Sequence, residues 1–278
     1  MTEADFLSLL RPLATHPAAR GFADDAAVLC DLVFTHDVLV AGVHFRVEDA
    51  PQDVAWKLLA VNLSDLAAKG AVPVGVLLGY PLSDADWDAG FVEGLGAALA
   101  AFDVPLLGGD TVTGPRVLSM TAIGRSAVAP SRSGAKVGDA LWVTGVIGRA
   151  GLGLAGDSAH AQSYLRPVPR LAEGQALAPI VSAMMDVSDG LLIDARRMAE
   201  ASGLALEIDL DLVPVAGERM AAMTAGDDYE LLFAVPAGVE PPVPATRIGK
   251  FNVGSGLTLH DATGPVALPD RLGWQHGI

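Results

Sequence analysis

The chain has 278 residues and is acidic, with 33 Asp and Glu residues against 18 Lys and Arg residues and a formal net charge of −15. Because 51% of its residues are hydrophobic and only 18% are charged, an intrinsically disordered chain is excluded. The acidic surplus argues against nucleic acid as a partner, since phosphate backbones are bound by basic surfaces. The length allows one large domain or two of ordinary size.

The sequence contains no candidate membrane span. Its longest stretch without a formal charge runs from Gly70 to Ser83, which is too short to cross a bilayer and is interrupted by prolines and glycines. The acidic N-terminus lacks the basic start of a secretory signal. Cys30 is the only cysteine, so no intrachain disulfide can form. We therefore expect a cytoplasmic protein with no membrane partner.

Helical and strand patterns alternate along the first half of the chain. The clearest is a helix over 52–69, where Leu59, Leu63 and Leu66 recur at helical spacing and Gly70 follows. The predicted elements of this half, in chain order, are a helix at 3–11, strands at 26–33 and 37–44, the 52–69 helix, a strand at 72–80, a helix at 84–102, and strands at 104–107 and 116–124.

A segment over 128–134, containing Pro, Ser and Gly, is typical of a linker. The elements predicted after it are a strand at 140–144, a helix at 148–157, a helix after Pro169, a strand ending at 185–187, a helix at 190–202, and strands at 204–209, 229–235 and 246–250. Asp189 is the expected N-cap of the 190–202 helix, and Gly203 its stop. The two halves predict two α/β domains, 1–130 and 131–278.

Aspartates recur at the ends of these elements, beside Gly, Ser or Thr. They form six short clusters with no lysine expected beside them, at Asp24-Asp25, Asp37, Asp65, Asp110, Asp186 with Asp189, and Asp227-Asp228. Hard cations such as Mg²⁺ take oxygen ligands, often one or two carboxylates together with phosphate oxygens. Carboxylates at strand ends, next to glycines that let the backbone approach a ligand, fit this requirement.

Each cluster alone also has an ordinary structural interpretation. Gly108-Gly109-Asp110 is as often a turn, and Asp24-Asp25 can be a polar loop. Asp65 lies four residues before Lys69, a spacing typical of a surface ion pair on one helix. Only the joint occurrence of the six clusters indicates a shared site.

Two further patterns each allow a functional and a structural interpretation. Residues 151–156 read GLGLAG and match G-x-G-x-x-G, but they fall inside the predicted helix rather than at its entry turn, so close helix packing is favoured over a dinucleotide site. Arg132 lies in the basic loop beside the domain junction, where a guanidinium could hold a phosphate. On the sequence alone, a solvated linker is favoured there. No P-loop motif occurs.

Eight strings, in order along the chain, resemble thiamine-monophosphate kinases, a family within the superfamily of aminoimidazole ribonucleotide synthetase. The strings are GFADDAAVL at 21–29, THDVLVAGVHF at 35–45, NLSDLAAKG at 62–70, GGDT at 108–111, SRSGAKVGD at 131–139, YLRPVPRL at 164–171, MDVSDGL at 185–191 and GDDYELLF at 226–233. Several of them are specific to this kinase within the superfamily.

The resemblance implies ATP-dependent phosphorylation of thiamine monophosphate to thiamine diphosphate, with several Mg²⁺ ions. It implies an α/β (α+β) fold of two domains. In that fold the mixed N-terminal sheet forms a barrel-like interface of a homodimer, and the C-terminal α/β domain carries the ATP loop and substrate contacts. The acceptor phosphate is largely ionised at neutral pH, since its second pKa is about 6. No general base is therefore required.

The resemblance also implies which residues form the site. The implied metal ligands are Asp25, Thr35, Asp37, Asp65, Asp110, Asp186 and Asp189, of which Asp37, Asp65 and Asp110 are the implied catalytic residues. The implied ATP contacts are Gly109, Asp110, Arg132 and Ser188. The implied contacts to thiamine monophosphate are His44, Asp227 and Trp274.

The sequence departs from the family pattern at a few of these positions. His36 stands where Thr is usual, Asp227 where Glu is usual, and Lys69 where Met is usual. We expect these changes to alter metal and substrate affinity more than identity. The alternatives are a nucleotide-binding or sensing homologue with weakened catalysis, or another ATP-using member of the superfamily.

Overall fold

The computed structural model describes residues 3–276. The first part of the chain forms α1 (Glu3–Leu10), β1 (Ala27–Leu29), β2 (Leu32–Val40), α2 (Pro51–Ala68), β3 (Val72–Leu82), α3 (Ala85–Phe102), β4 (Leu106–Thr113) and β5 (Val117–Arg125), with 3₁₀ turns at Arg11–Leu13 and Pro17–Phe22. These strands make one sheet in the order β1-β2-β5-β3-β4, in which only β3 and β4 run parallel.

The rest of the chain builds a second sheet. Its elements are β6 (Ala140–Thr144), α4 (Arg149–Leu154), α5 (Ala161–Leu165), α6 (Leu171–Leu177), β7 (Ala183–Asp186), α7 (Leu191–Ser202), β8 (Ala205–Asp209), α8 (Arg219–Ala225), β9 (Leu231–Val235), β10 (Ala245–Asn252), β11 (Gly256–Asp261) and β12 (Gly264–Val266). The strand order is β12-β11-β8-β10-β6-β9-β7.

Helix α2 connects the two parts. Its apolar side chains Leu58, Leu63 and Leu66 are fully buried and belong to the core of the first part. The same helix contacts β2 and β5 on one side, α3 on another, and α6 and β7 of the second part. Because α2 is covered in almost every direction, each polar side chain that it carries inward must find a partner inside the protein.

The element predictions were right in type and wrong at several boundaries. The run at 26–33 is a hairpin, with Cys30 at its turn in a left-handed conformation (φ 59°), and β2 begins at Leu32 rather than at residue 37. The strand predicted at 104–107 is the longer β4, which includes Gly108-Gly109-Asp110. Short elements without a strong periodic pattern, α5, α8, β11 and β12, were missed.

Within residues 3–276, no helix is long and apolar enough to cross a membrane. The first sheet is open within this chain: β1 lies at one edge and β4 at the other. A single chain therefore does not contain the closed barrel that the resemblance implied for the dimer.

Candidate active site

A cavity of about 580 Å³ opens between the two parts of the chain. Eight of the predicted site residues line it: Asp37, His44, Asp65, Asp186, Ser188, Asp189, Asp227 and Trp274. They come from β2 and the turn after it, from α2, from the end of β7 and the segment after it, from the segment before β9 and from the C-terminal segment. The fold thus brings together residues that are up to 237 positions apart (37 and 274) in the sequence.

Three carboxylates form the acidic end of this cavity. Asp37 is on β2, Asp65 on α2, and the buried Asp186 ends β7. The Thr35 hydroxyl donates to Asp65, and the Ser64 hydroxyl donates to Asp186 Oδ2 over 2.5 Å. By contrast, Asp37 Oδ2 is buried without a hydrogen-bond partner among the described residues. A buried carboxylate oxygen without a partner is costly, and this atom is free to accept a ligand.

The three carboxylates resist ionisation together. Burial, reinforced by the charge of Asp25, raises the pKa of Asp37 to about 6. Burial, again with Asp25 adding to it, raises the pKa of Asp186 to about 8. The pKa of Asp65 is also well above its ordinary value, mainly because of burial and the charge of Asp37. A bound cation would favour the ionised forms.

Asp25 is held behind this cluster by two cationic side chains. Lys69 Nζ lies 3.3 Å from Asp25 Oδ2, and Arg132 Nη1 lies 3.3 Å from Asp25 Oδ1. Lys69 also contacts the buried Asp24 at 2.5 Å and the Met184 carbonyl at 3.3 Å. The expectation that no lysine accompanies the acidic clusters was therefore wrong.

The expected surface pair between Asp65 and Lys69 does not form. Lys69 is fully buried, and its ammonium points to Asp24 and Asp25. Lys69 is the residue after the last residue of α2. The backbone leaves the helix there, so the Lys69 side chain does not lie beside that of Asp65. The ordinary structural interpretation of Asp65 is therefore excluded, and its carboxylate remains in the cavity.

Asp194 shapes the loop that carries Ser188 and Asp189. Its buried carboxylate accepts hydrogen bonds from the backbone N–H groups of Ser188 and Asp189, each over 3.1 Å. Arg197 Nη1 then joins Asp194 (2.8 Å) to Asp189 (2.5 Å). Asp189 is consequently not the N-cap of α7: the cap position is Gly190, without a side-chain hydrogen bond.

His44, Asp227 and Trp274 form a second group in the lining of the same cavity. His44 Nδ1 accepts a hydrogen bond from the Val40 N–H over 3.0 Å, and burial lowers the pKa of the imidazole. Trp274 is anchored through its backbone N–H, which donates to the Asp189 carbonyl over 2.8 Å. Trp274 as a residue is 49% exposed, which leaves part of its side chain available to a ligand.

Two predicted residues lie away from the cavity. Asp110 and Gly109 are on β4, at the edge of the first sheet. The cross-strand row Val38, Ser119, Gly79, Asp110 separates Asp110 from β2 by three strand spacings, about 14 Å. Gly109 also has a structural reason to be glycine, because a Cβ there would lie 1.9 Å from the Leu78 carbonyl oxygen.

The donor set at the acidic end fits a hard cation. Within residues 3–276, no group of three or more His, Cys, Asp or Glu side chains is arranged to hold a metal ion by itself. Mg²⁺ commonly takes only one or two carboxylates and completes its shell with water and phosphate oxygens. The unpartnered Asp37 Oδ2 and the raised carboxylate pKa values are consistent with such a partly built site.

Comparison with known proteins agrees with this architecture. Models of AIR synthase related proteins match residues 23–126 (N-terminal domain) and 136–259 (C-terminal domain). The thiamine-monophosphate kinase of Caulobacter vibrioides is 40% identical, covering 99% of this chain and 91% of that protein. The chain belongs to the thiamine-monophosphate kinase family. The Salmonella typhimurium member is 41% identical over 92% of this chain and 91% of its own length.

A solved structure of the same family shares the fold. It is AaThiL complexed with AMPPCP and TMP, with a TM-score of 0.89 and 27% identity, covering 99% of this chain and 97% of that one. The predicted two-domain α/β fold of the aminoimidazole ribonucleotide synthetase type is therefore confirmed for this member of the thiamine-monophosphate kinase family.

Sequence reasoning missed the charged residues that support the candidate site. Lys57 contacts Asp227, Lys69 contacts Asp24 and Asp25, and Arg197 contacts Asp189. Lys57 interrupts an apolar stretch inside α2, and Lys69 interrupts the apolar stretch at the end of that helix. A lysine among apolar neighbours on a helix predicts a buried ion pair, and this signal could have identified both.

Proposed function

We propose that this chain transfers the γ-phosphoryl group of ATP to the phosphate of thiamine monophosphate, forming thiamine diphosphate and ADP. The observation that carries this proposal is one cavity whose lining combines buried carboxylates with Trp274, His44 and Asp227. Such a cavity can hold a thiamine group and a chain of phosphates at once. The kinase relatives, and the AaThiL complex with AMPPCP and TMP, support the same reaction.

The thiamine end of the cavity has the chemistry to bind a cationic heteroaromatic ring. The exposed face of Trp274 suits a thiazolium cation, which is attracted to an aromatic π-face. Asp227 is held in place by Tyr229, whose hydroxyl donates to its Oδ1 over 2.9 Å. Its carboxylate is therefore oriented to accept a hydrogen bond from the substrate.

At the phosphate end, Asp37, Asp65 and Asp186 would hold Mg²⁺, with Asp25, Thr35 and Asp189 around them. Bound Mg²⁺ would screen the repulsion between the two phosphates and stabilise the charge that develops on the transferred group. The reaction itself breaks the bond between the γ-phosphorus and its bridging oxygen and forms one to a TMP phosphate oxygen. Since that oxygen is already ionised, the residues need only position and screen.

Ser188 and Arg132 are the proposed ATP contacts within one chain. Asp194 fixes the Ser188 backbone, which gives this contact a rigid support. The Arg132 guanidinium donates from Nε to the Ala23 carbonyl over 2.7 Å and from Nη1 faces Asp25. Its remaining N–H groups are free of these two contacts, so it can bind phosphate while it keeps the Asp25 loop in place.

A homodimer would complete this site. All eight residues of β4 are exposed, including Leu106, Leu107 and Val112, and β4 is an unpaired edge of the sheet. A long apolar edge strand calls for a cover. If a second copy covers β4, the partner's Asp110 and Gly109 could reach the cavity that their own chain keeps about 14 Å away. A cytoplasmic location remains a prediction from the sequence.

The test is a direct assay. Purified protein is incubated with ATP, Mg²⁺ and thiamine monophosphate, and the thiamine phosphates are separated and quantified by fluorescence after oxidation. We expect thiamine diphosphate and ADP in equal amounts, and no product from unphosphorylated thiamine. An Asp37→Asn variant should lose at least about a hundredfold in turnover, whereas Asp103→Asn, at an exposed helix end, should not. ATP binding without any product would favour a sensor instead.

A further inference from the structure

Lys57 is a buried cation beside the proposed thiamine end of the cavity. It lies on α2 between Trp56 and Leu58, and only 2% of it is exposed. Its Nζ donates to Asp227 Oδ2 over 2.7 Å and to the His44 carbonyl over 3.2 Å. A buried ammonium persists only when such partners replace its water shell.

These two partners come from different parts of the fold. His44 follows β2 in the first part, and Asp227 precedes β9 in the second. Both line the cavity, whereas Lys57 itself does not. Its ammonium therefore connects the residues that these two parts of the chain contribute to the proposed substrate pocket, without itself lining that pocket.

Asp227 depends on this support. Its backbone is left-handed (φ 63°), a conformation unusual for a residue other than glycine, and its side chain is 31% exposed towards the cavity. Lys57 holds Oδ2, and the Tyr229 hydroxyl holds Oδ1 at 2.9 Å. With both oxygens engaged, the orientation of the carboxylate is fixed, and each oxygen keeps acceptor capacity for a further donor.

The motif at 164–171, to which the reaction assigns no part, in turn supports Lys57. The Tyr164 ring lies 4.1 Å from Lys57 Nζ, a cation–π contact. Tyr164 is 2% exposed, and its hydroxyl donates to Asp49 Oδ2 over 2.9 Å. The next turn is fixed to α2, because Trp56 Nε1 donates to the Pro167 carbonyl over 3.0 Å.

We propose that Lys57 is a positioning residue for thiamine monophosphate, acting through Asp227 and the His44 turn, and that Tyr164 and the 164–171 motif hold it there. This inference rests on the proposed function and extends it. Lys57 lies beside Asp227, and among the described residues its hydrogen bonds and ring contact are with Asp227, His44 and Tyr164. It makes no such contact with Asp37, Asp65 or Asp186. Its loss should therefore weaken binding of thiamine monophosphate selectively.

The test compares Lys57→Met, Asp227→Asn and the double variant with the wild type. The expected result for Lys57→Met is a rise in KM for thiamine monophosphate of about tenfold to a hundredfold, the range for one charge-assisted hydrogen bond. The KM for ATP should change less than about threefold by comparison, since the substitution leaves the proposed ATP contacts unchanged. Lys57→Arg, which keeps the positive charge, should recover part of the loss.

A double-mutant cycle separates positioning from general destabilisation. If Lys57 acts through Asp227, the double variant should be no worse than the more impaired single variant. Thermal unfolding without ligands checks the fold, and Lys250→Met, at an exposed lysine of β10, is the matched control. If Lys57→Met does not fold, the same cycle is read with Lys57→Gln, which removes the charge but keeps a polar end.

Two results would overturn the proposal separately from the function. The first is unchanged KM for thiamine monophosphate in a folded Lys57 variant of an active enzyme. The second is strict additivity of the Lys57 and Asp227 effects, with equal losses towards ATP. A wild-type chain that leaves thiamine monophosphate unphosphorylated would instead overturn the proposed function, and this inference with it.

Discussion

At the scale of single residues, the site depends on buried charges that are each matched by a partner. Lys57 matches Asp227, Lys69 matches Asp24 and Asp25, and Arg197 matches Asp189 and Asp194. Asp37 is the exception, because its Oδ2 has no partner among the described residues. A carboxylate oxygen left open within a set of otherwise paired charges is where an added cation stabilises most.

The Lys69 pairing leads to a stability prediction. Lys69 and Asp24 are both almost completely buried, so Lys69→Met leaves a carboxylate with only Arg20 as counter-charge. We expect the free energy of unfolding to fall by about 3 kcal/mol, the usual result of breaking a buried pair. Urea denaturation measures this loss, with Lys250→Met as the exposed control.

Adding Asp24→Asn to Lys69→Met provides the contrasting case. Because the second change removes the unpaired charge, the double variant should regain part of the lost stability. Equal stability of Lys69→Met and the wild type would contradict the pairing, as would a double variant that is weaker by the full sum of the single effects.

At the scale of elements, β4 pairs with β3 along one edge, and its other edge is unpaired within the described chain. It carries Asp110 on an edge strand whose residues are all exposed. The other proposed metal ligands lie just before β1, on β2, on α2, and at the end of β7 and in the loop after it. The placement of Asp110 is explained if β4 contributes this residue to the cavity of a second copy of the chain. The proposed dimer and the proposed role of Asp110 are therefore one hypothesis.

A complementation experiment tests that hypothesis. Asp110→Asn and Asp186→Asn should each be inactive alone. When they are co-expressed, a dimer of the two variants contains one site with both aspartates intact if Asp110 acts on the partner's cavity. Random pairing then restores about a quarter of wild-type turnover, because half of the dimers carry one working site of two.

The same mixture distinguishes the alternative. If Asp110 acts within its own chain, every site carries one of the two substitutions and the mixture stays inactive. Light scattering of each variant verifies that dimers form, so that a lack of activity is not confused with a lack of association.

At the scale of the whole molecule, the stability of the metal-free protein should fall as the pH rises. Burial raises the pKa of Asp37 to about 6, of Asp194 and Asp228 to about 7, and of Asp186 to about 8. Between these values and the unfolded value near 4, the folded state binds more protons than the unfolded state. The stability contributed by these groups is complete below about pH 4 and is lost as the pH rises through 6 to 8.

We therefore expect the unfolding free energy of the metal-free protein to fall by several kcal/mol between pH 5.5 and 8.5. Urea denaturation in the presence of a chelator measures this loss. His44 acts weakly in the opposite sense, because burial lowers its pKa. Asp186→Asn should reduce the slope, and Mg²⁺ should restore stability at pH 8.5 if the carboxylates bind it. A stability that rises over this range would contradict the assignment.

The sequence was enough to predict the type of most elements, because periodic apolar residues and glycine stops are local signals. The helix at 52–69 was predicted within a residue at each end. Boundaries failed where no local signal exists: β4 continues through two glycines because Gly109 fits against the Leu78 carbonyl of a neighbouring strand. Only packing between strands imposes that constraint.

By itself, the sequence determined the family, the two-part α/β organisation and the set of candidate aspartates, because these are carried by residue types in order along the chain. The tertiary structure decided which of them meet. It gathered Asp37, Asp65 and Asp186 in one cavity, left Asp110 on a distant edge, and brought Lys57 and Lys69 to carboxylates far away in sequence. The physical reason is that charge pairing and pKa depend on distance and burial, which only the folded chain defines.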